Sequence, residues 1–102
     1  MSDIVSPAEQ LLNESIQAVR DRRQNYGDPS AHFARTVGAI NAIFAHKLRE
    51  PLTEDDWAQI MILDKLSRHQ GRPIDDNPRD VAGYAGCWWE CIIARGVNGS
   101  GN

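Results

Sequence analysis

Three segments carry the side chains whose types and spacing could do chemistry. They are Asp21-Arg22 through Tyr26-Gly27-Asp28-Pro29, then Asp64-Lys65-x-x-Arg68, then Asp76-Asn77-x-x-Asp80-x-x-Gly83-Tyr84. Lys65 and Arg68 are three residues apart, so a helix puts them on one side. There they could hold a phosphate, the guanidinium giving paired hydrogen bonds and the ammonium a point charge. Arg22 and Tyr26, four apart, share a helix face in the same way, and no turn requires either. Tyr26 or Tyr84 would stack on a base. Asp64, Asp76 and Asp80 are the hard oxygen ligands that a magnesium ion would use, with Asp75 adding acid beside them.

Each of these groups also has a simpler reading. Asp64 lies four residues before Arg68, the spacing of an ordinary ion pair along a helix. Asp76 and Asp80 bracket a helix start, where carboxylates meet free N–H groups and the positive end of the macrodipole. Gly27, Asp28 and Pro29 are explained as a glycine stop, a capping carboxylate and a proline start. His32 could approach Arg22 and Tyr26, although a satisfied or exposed histidine is the default. Cys87 and Cys91 share a helix face at a spacing that suits a disulfide poorly. Two thiols are half a zinc site, and His32, His46 and His69 are not at helpful distances in the chain. Both thiols are expected in the core, without a metal.

Four helices must position these residues. Ser6-Pro7-Ala8-Glu9 is a capping box with proline at the first helical position, and Leu12, Ile16 and Val19 follow at helical spacing. The first helix is expected over 7–25. Asp28-Pro29 opens the second, over 29–49, with Phe33, Val37, Ile40, Phe44 and Leu48 as its apolar stripe and Pro51 as its stop. Thr53 and Asp56 open the third, over 54–70, with Trp57, Ile60, Leu63 and Leu66 inward. Asn77-Pro78 with Asp80 opens the fourth, over 78–95, with Val81, Tyr84, Ala85, Trp88 and Ile92 inward. No segment alternates with period two for long. The expected fold is all-α, a compact bundle of four antiparallel neighbours, with one domain over 1–96 and a flexible tail over 97–102. Gly83 and Gly86 each cost about 1 kcal/mol inside a helix, which a close helix–helix approach would offset. Trp88 and Trp89 point about 100° apart, so one of them is expected at an interface.

The whole chain has 102 residues, 41% hydrophobic and 25% charged, with a net charge of −3. That is enough for one core but not two. The mild acidity argues against nucleic acid as a partner, since there is no basic surplus to release counterions. A cluster of Arg20, Arg22 and Arg23 leaves room for a local basic patch. No apolar run approaches bilayer length and no leader pattern opens the chain, so a cytoplasmic location and no membrane partner are expected.

Taken together, Arg22-x-x-x-Tyr26-Gly27-Asp28-Pro29, Phe33, Lys65-x-x-Arg68, Asp76 and Asp80-x-x-Gly83-Tyr84-Ala85 resemble a family of small phage and prophage proteins without an assigned activity. The resemblance covers roughly residues 11–90 and implies a phage-encoded, all-helical protein in the cytoplasm of a bacterial host. Two positions depart from the pattern: Asp64 replaces a more usual apolar residue, and His32 replaces an asparagine. A looser similarity is to the helical nucleotide pyrophosphohydrolases of the MazG kind, which hold magnesium with Glu-x-x-Glu and Glu-x-x-Asp pairs. Those pairs are missing, because Glu9 and Glu14 are five apart and Glu90 has no acidic neighbour at the needed step.

Three functions remain in view. The first, favoured over catalysis, is a non-catalytic binder of a phosphorylated small molecule such as a nucleotide, using Arg22, Tyr26, Lys65, Arg68 and Tyr84. The second is a magnesium-dependent nucleotide pyrophosphohydrolase using Asp64, Asp76 and Asp80. The third is an accessory protein that binds a host protein through Trp88 or Trp89. A homo-oligomer is expected.

Overall fold

Residues 5–74 and 76–96 are described in a computed structural model, and among them the chain is all α. Helix α1 spans Pro7–Tyr26, α2 spans Pro29–Phe44, α3 spans Glu54–Gly71 and α4 spans Asp76–Gly96. The expected tail over 97–102 and Asp75 lie outside the described residues.

The start signals work as their chemistry requires. The Glu9 amide donates to Ser6 Oγ and the Ser6 amide to Glu9 Oε1, closing the capping box. Asp28 accepts from the Ser30 amide, and Thr53 and Asp56 form a second reciprocal box. Gly27 ends α1 at φ +80°, a backbone region that only glycine enters freely.

Two boundaries differ from expectation. Helix α2 stops at Phe44, and Lys47 and Leu48 donate back to its last carbonyls in a tightened turn. The cause is Asn41. Its amide donates to the Leu52 carbonyl at 3.0 Å and accepts the Leu52 amide at 2.8 Å, so the following chain is folded back beside α2. Helix α4 begins at Asp76, two residues before the expected start at Pro78. Asn77 is buried and its side chain meets His69 Nδ1 at 3.1 Å, which locks the α3–α4 connection.

Helix α4 is the hub and packs against all three others, most extensively against α3. The two form an antiparallel pair, as Lys65–Asp80 near one end and Asp55–Arg95 at the other show. Helix α1 instead runs parallel to α4. Glu14 reaches Arg79, Val19 lies beside Gly86, and Arg23 pairs with Glu90 at 2.8 Å. The expectation of antiparallel neighbours throughout fails at this pair.

The core is Phe33, Ala58, Cys87 and Cys91, with Trp57, Tyr84 and Trp88 packed around it. The inward faces of α1 and α3 are rotated from the expected registers. Leu11, Ser15 and Val19 face inward on α1, while Leu12 and Ile16 are exposed. Ser15 is tolerated because its hydroxyl donates to the Leu11 carbonyl, with the Arg79 carbonyl also in reach. On α3 Trp57 packs inward as expected, but the other inward positions are Ala58, Met61, Ile62 and Lys65, and Ile60, Leu63 and Leu66 are exposed. Phe44 and Ala85, also expected inward, are exposed as well.

Candidate functional site

Helices α1 and α3 do not approach one another; both rest on α4, and the space between them is a cavity of about 300 Å³. Its α1 wall is Ala18, Val19 and Arg22, and its α3 wall is Lys65. Helix α4 supplies the rest with Arg79, Asp80, Gly83, Tyr84 and Cys87. The two glycines therefore act differently from the expected close helix crossing. A Cβ at Gly86 would meet Val19 at an ordinary 3.9 Å, whereas one at Gly83 would meet nothing within 4 Å. The missing side chain at Gly83 leaves room in the cavity.

Charges in the cavity are arranged unequally. Arg79 is held by Glu14 at 3.0 Å and by Asp76, three residues before it. Lys65, whose side chain is only 16% exposed, meets Asp80 Oδ2 at 3.3 Å. Arg22 differs. Among the described residues it pairs with no carboxylate, and its guanidinium carbon lies 5.5 Å from the ring centroids of both Tyr26 and Tyr84. Aromatic faces hold a cation in place without neutralising it. Behind Arg22 the rings continue as Tyr26–His32, His32–Phe33 and Phe33–Tyr84, at 6.2, 5.8 and 6.5 Å between centroids. Burial, and then the nearby Arg22 and Arg35, push the His32 pKa below its usual value.

Of the residues singled out as phosphate ligands, Arg22, Lys65 and Tyr84 converge on the cavity and Tyr26 stands beside Arg22. Arg68 does not. It points outward and makes the i,i+4 pair with Asp64 at 3.0 Å, so both residues follow their simpler reading. Asp64, Asp76 and Asp80 are each matched to a cation, and no cluster of three or more potential metal ligands forms among the described residues. Arg79 and the open position at Gly83 escaped the sequence reading. Arg79 follows Pro78 in what reads as a bare helix start, and a glycine that opens a cavity looks like one that admits a neighbour.

Cys87 and Cys91 are buried free thiols, as expected. Burial raises both thiol pKa values, that of Cys91 to about 11, with Asp55 and Glu54 adding to the effect there. Neither is a ready nucleophile at neutral pH. The paired tryptophans divide as their geometry requires: Trp88 packs on the core and Trp89 is 59% exposed. Among the described residues, no helix is long and apolar enough to cross a membrane.

Comparison with known proteins adds a kinship. Residues 10–92 match a domain of unknown function, DUF6378. The chain is also similar to the Gene 55 protein of Mycobacterium phage D29, with 34% identity over 82 residues, covering 78% of this chain and 52% of that protein. It thus spans about half the length of this curated relative. No solved structure matches.

Proposed function

The chain belongs to the DUF6378 family, and from that premise we propose that it binds a phosphorylated small molecule, such as a nucleotide, in the cavity between α1, α3 and α4. The observation that carries this reading is Arg22. It is a half-buried guanidinium positioned by two tyrosine rings, facing no carboxylate, in a cavity that Lys65 also lines. A guanidinium so placed keeps its planar fork of donors available for paired hydrogen bonds to a phosphate. The exposed ring of Tyr26 offers a stacking surface for a base. Catalysis is less well supported. The carboxylates that would hold magnesium are each engaged by lysine or arginine, and the acidic pairs of the helical hydrolases are missing from the sequence.

A panel of nucleotides and sugar phosphates in a thermal-shift assay, followed by calorimetry, tests the proposal. A nucleotide that stabilises the protein should lose roughly tenfold or more in affinity on Arg22→Ala, matching the ~1.5–3 kcal/mol of a hydrogen bond to a charged group. Arg68→Ala should change little. Silence across the panel, or equal losses at the two arginines, would sink the reading.

One observation favours a second reading, recognition of a protein partner. Trp89 lies in the open with exposed Ile93 four residues on, and exposed aromatics of this kind anchor interfaces. If Trp89→Ala leaves both self-association and partner capture unchanged, this reading fails.

A further inference from the structure

We infer that the cavity selects a ligand with a single phosphate group next to a hydroxyl or amine donor, a nucleoside monophosphate in preference to a di- or triphosphate. The inference rests on the binding reading above and asks which anion the cavity can hold.

The charges answer by count. Arg22, Lys65 and Arg79 are the cations, and Asp80, Glu14 and Asp76 are the anions beside them. Arg79 faces two carboxylates and Lys65 faces one, so only Arg22 is left without a counter-charge. A single phosphate carries about 1.5 to 2 negative charges at neutral pH, which Arg22 with a share of Lys65 can meet. Each further phosphate adds negative charge that no other cation in the cavity is free to balance. It would also be pressed against Asp80, at a real cost for like charges in a partly desolvated space.

Asp80 gives the second half of the selection. Lys65 engages its Oδ2, leaving Oδ1 to accept a hydrogen bond from a ligand O–H or N–H. A carboxylate in that position rejects phosphate and accepts hydroxyl, so it orients a molecule that has one of each. The cavity, at about 300 Å³, is at the small end of ligand sites, which run to roughly 1,000 Å³.

The test is calorimetry of the wild-type protein against the mono-, di- and triphosphates of one nucleoside, in chelator-treated buffer without divalent cations. The monophosphate should bind at least about tenfold more tightly than the triphosphate. Asp80→Asn, isosteric and at a half-exposed position, should narrow that ratio severalfold by improving triphosphate binding. Triphosphate binding as tight as monophosphate binding in the wild type would overturn the inference and leave the binding function standing. A ratio unmoved by Asp80→Asn would remove Asp80 from the selection. Failure of every nucleotide to bind would defeat the inference together with the proposal beneath it.

Discussion

His32 joins two arguments that the chain itself keeps apart. It sits in the ring series from Tyr26 to Phe33, where burial and the charges of Arg22 and Arg35 oppose its protonation. The folded protein therefore binds this proton less tightly than the unfolded chain does. As pH falls below the ordinary histidine value of 6.5, the unfolded state takes up protons first and stability drops; above that value the ring is neutral in both states and has no such effect. We expect the His32 resonance to titrate below 6.5, and His32→Gln to flatten the loss of stability between about pH 7 and 5. A midpoint at or above 6.5 would show that the ring series does not exclude the charge. At this scale the sequence was informative about type and less so about destination. The four-residue step from Arg22 to Tyr26 puts them on one helix face, where they touch, and Lys65 and Tyr84 line the same cavity as Arg22. Arg68 carries the same charge as Lys65 three residues earlier, but it lies in the open, where Asp64 is within reach.

Helices are fixed by their ends here, and one pair of ends is joined by an ion pair. Asp55, in the first turn of α3, meets Arg95, in the last turn of α4, at 2.7 Å. The carboxylate is at a helix N-terminus and the guanidinium at a helix C-terminus, so both macrodipoles favour the arrangement. The Asp55 side chain is 14% exposed, and its Oδ1 finds no hydrogen-bond partner among the described residues. Removing Arg95 would leave that carboxylate nearly buried without its counter-charge. Arg95→Ala should cost about 1–3 kcal/mol in urea unfolding, while Arg95→Lys should recover part of the loss. A cost near zero would mean that water replaces the guanidinium at no penalty. Element boundaries were legible where local chemistry sets them: the capping boxes at Ser6 and Thr53 and the glycine at 27 are short-range devices. What escaped was set from a distance. Asn41 ends α2 early by binding the backbone of Leu52, eleven residues on. Leu12 and Leu63 fit a helical repeat as well as the true inward positions, and only the docking of α1 and of α3 on α4 decides between registers.

As a whole the molecule buries few large apolar side chains and leaves many in water. Phe33 is the one large side chain fully buried among the described residues, while Ile43, Leu63, Trp89 and Ile93 remain 46–66% exposed. Scattered exposed aliphatics are ordinary, but a run along one helix is not. Ala85, Trp89 and Ile93 recur every four residues on α4 and form such a run, opposite the face that carries Cys87 and Cys91 into the core. A second copy docking this stripe against its own would bury two indoles near a symmetry axis, where aromatic anchors contribute most. Light scattering after size exclusion, at tens of micromolar, should therefore give a multiple of 11.4 kDa. Trp89→Ser should return the monomer without loss of helicity, because Trp89 is outside the core cluster that Trp88 joins. Leu63→Ser serves as the comparison on α3. If that variant dissociates the assembly and Trp89→Ser does not, the contact belongs to α3, and a wild-type monomer would dismiss self-association altogether. The cavity faces α1 and α3 rather than this stripe, so nucleotide affinity should be the same in the Trp89→Ser monomer as in the assembly.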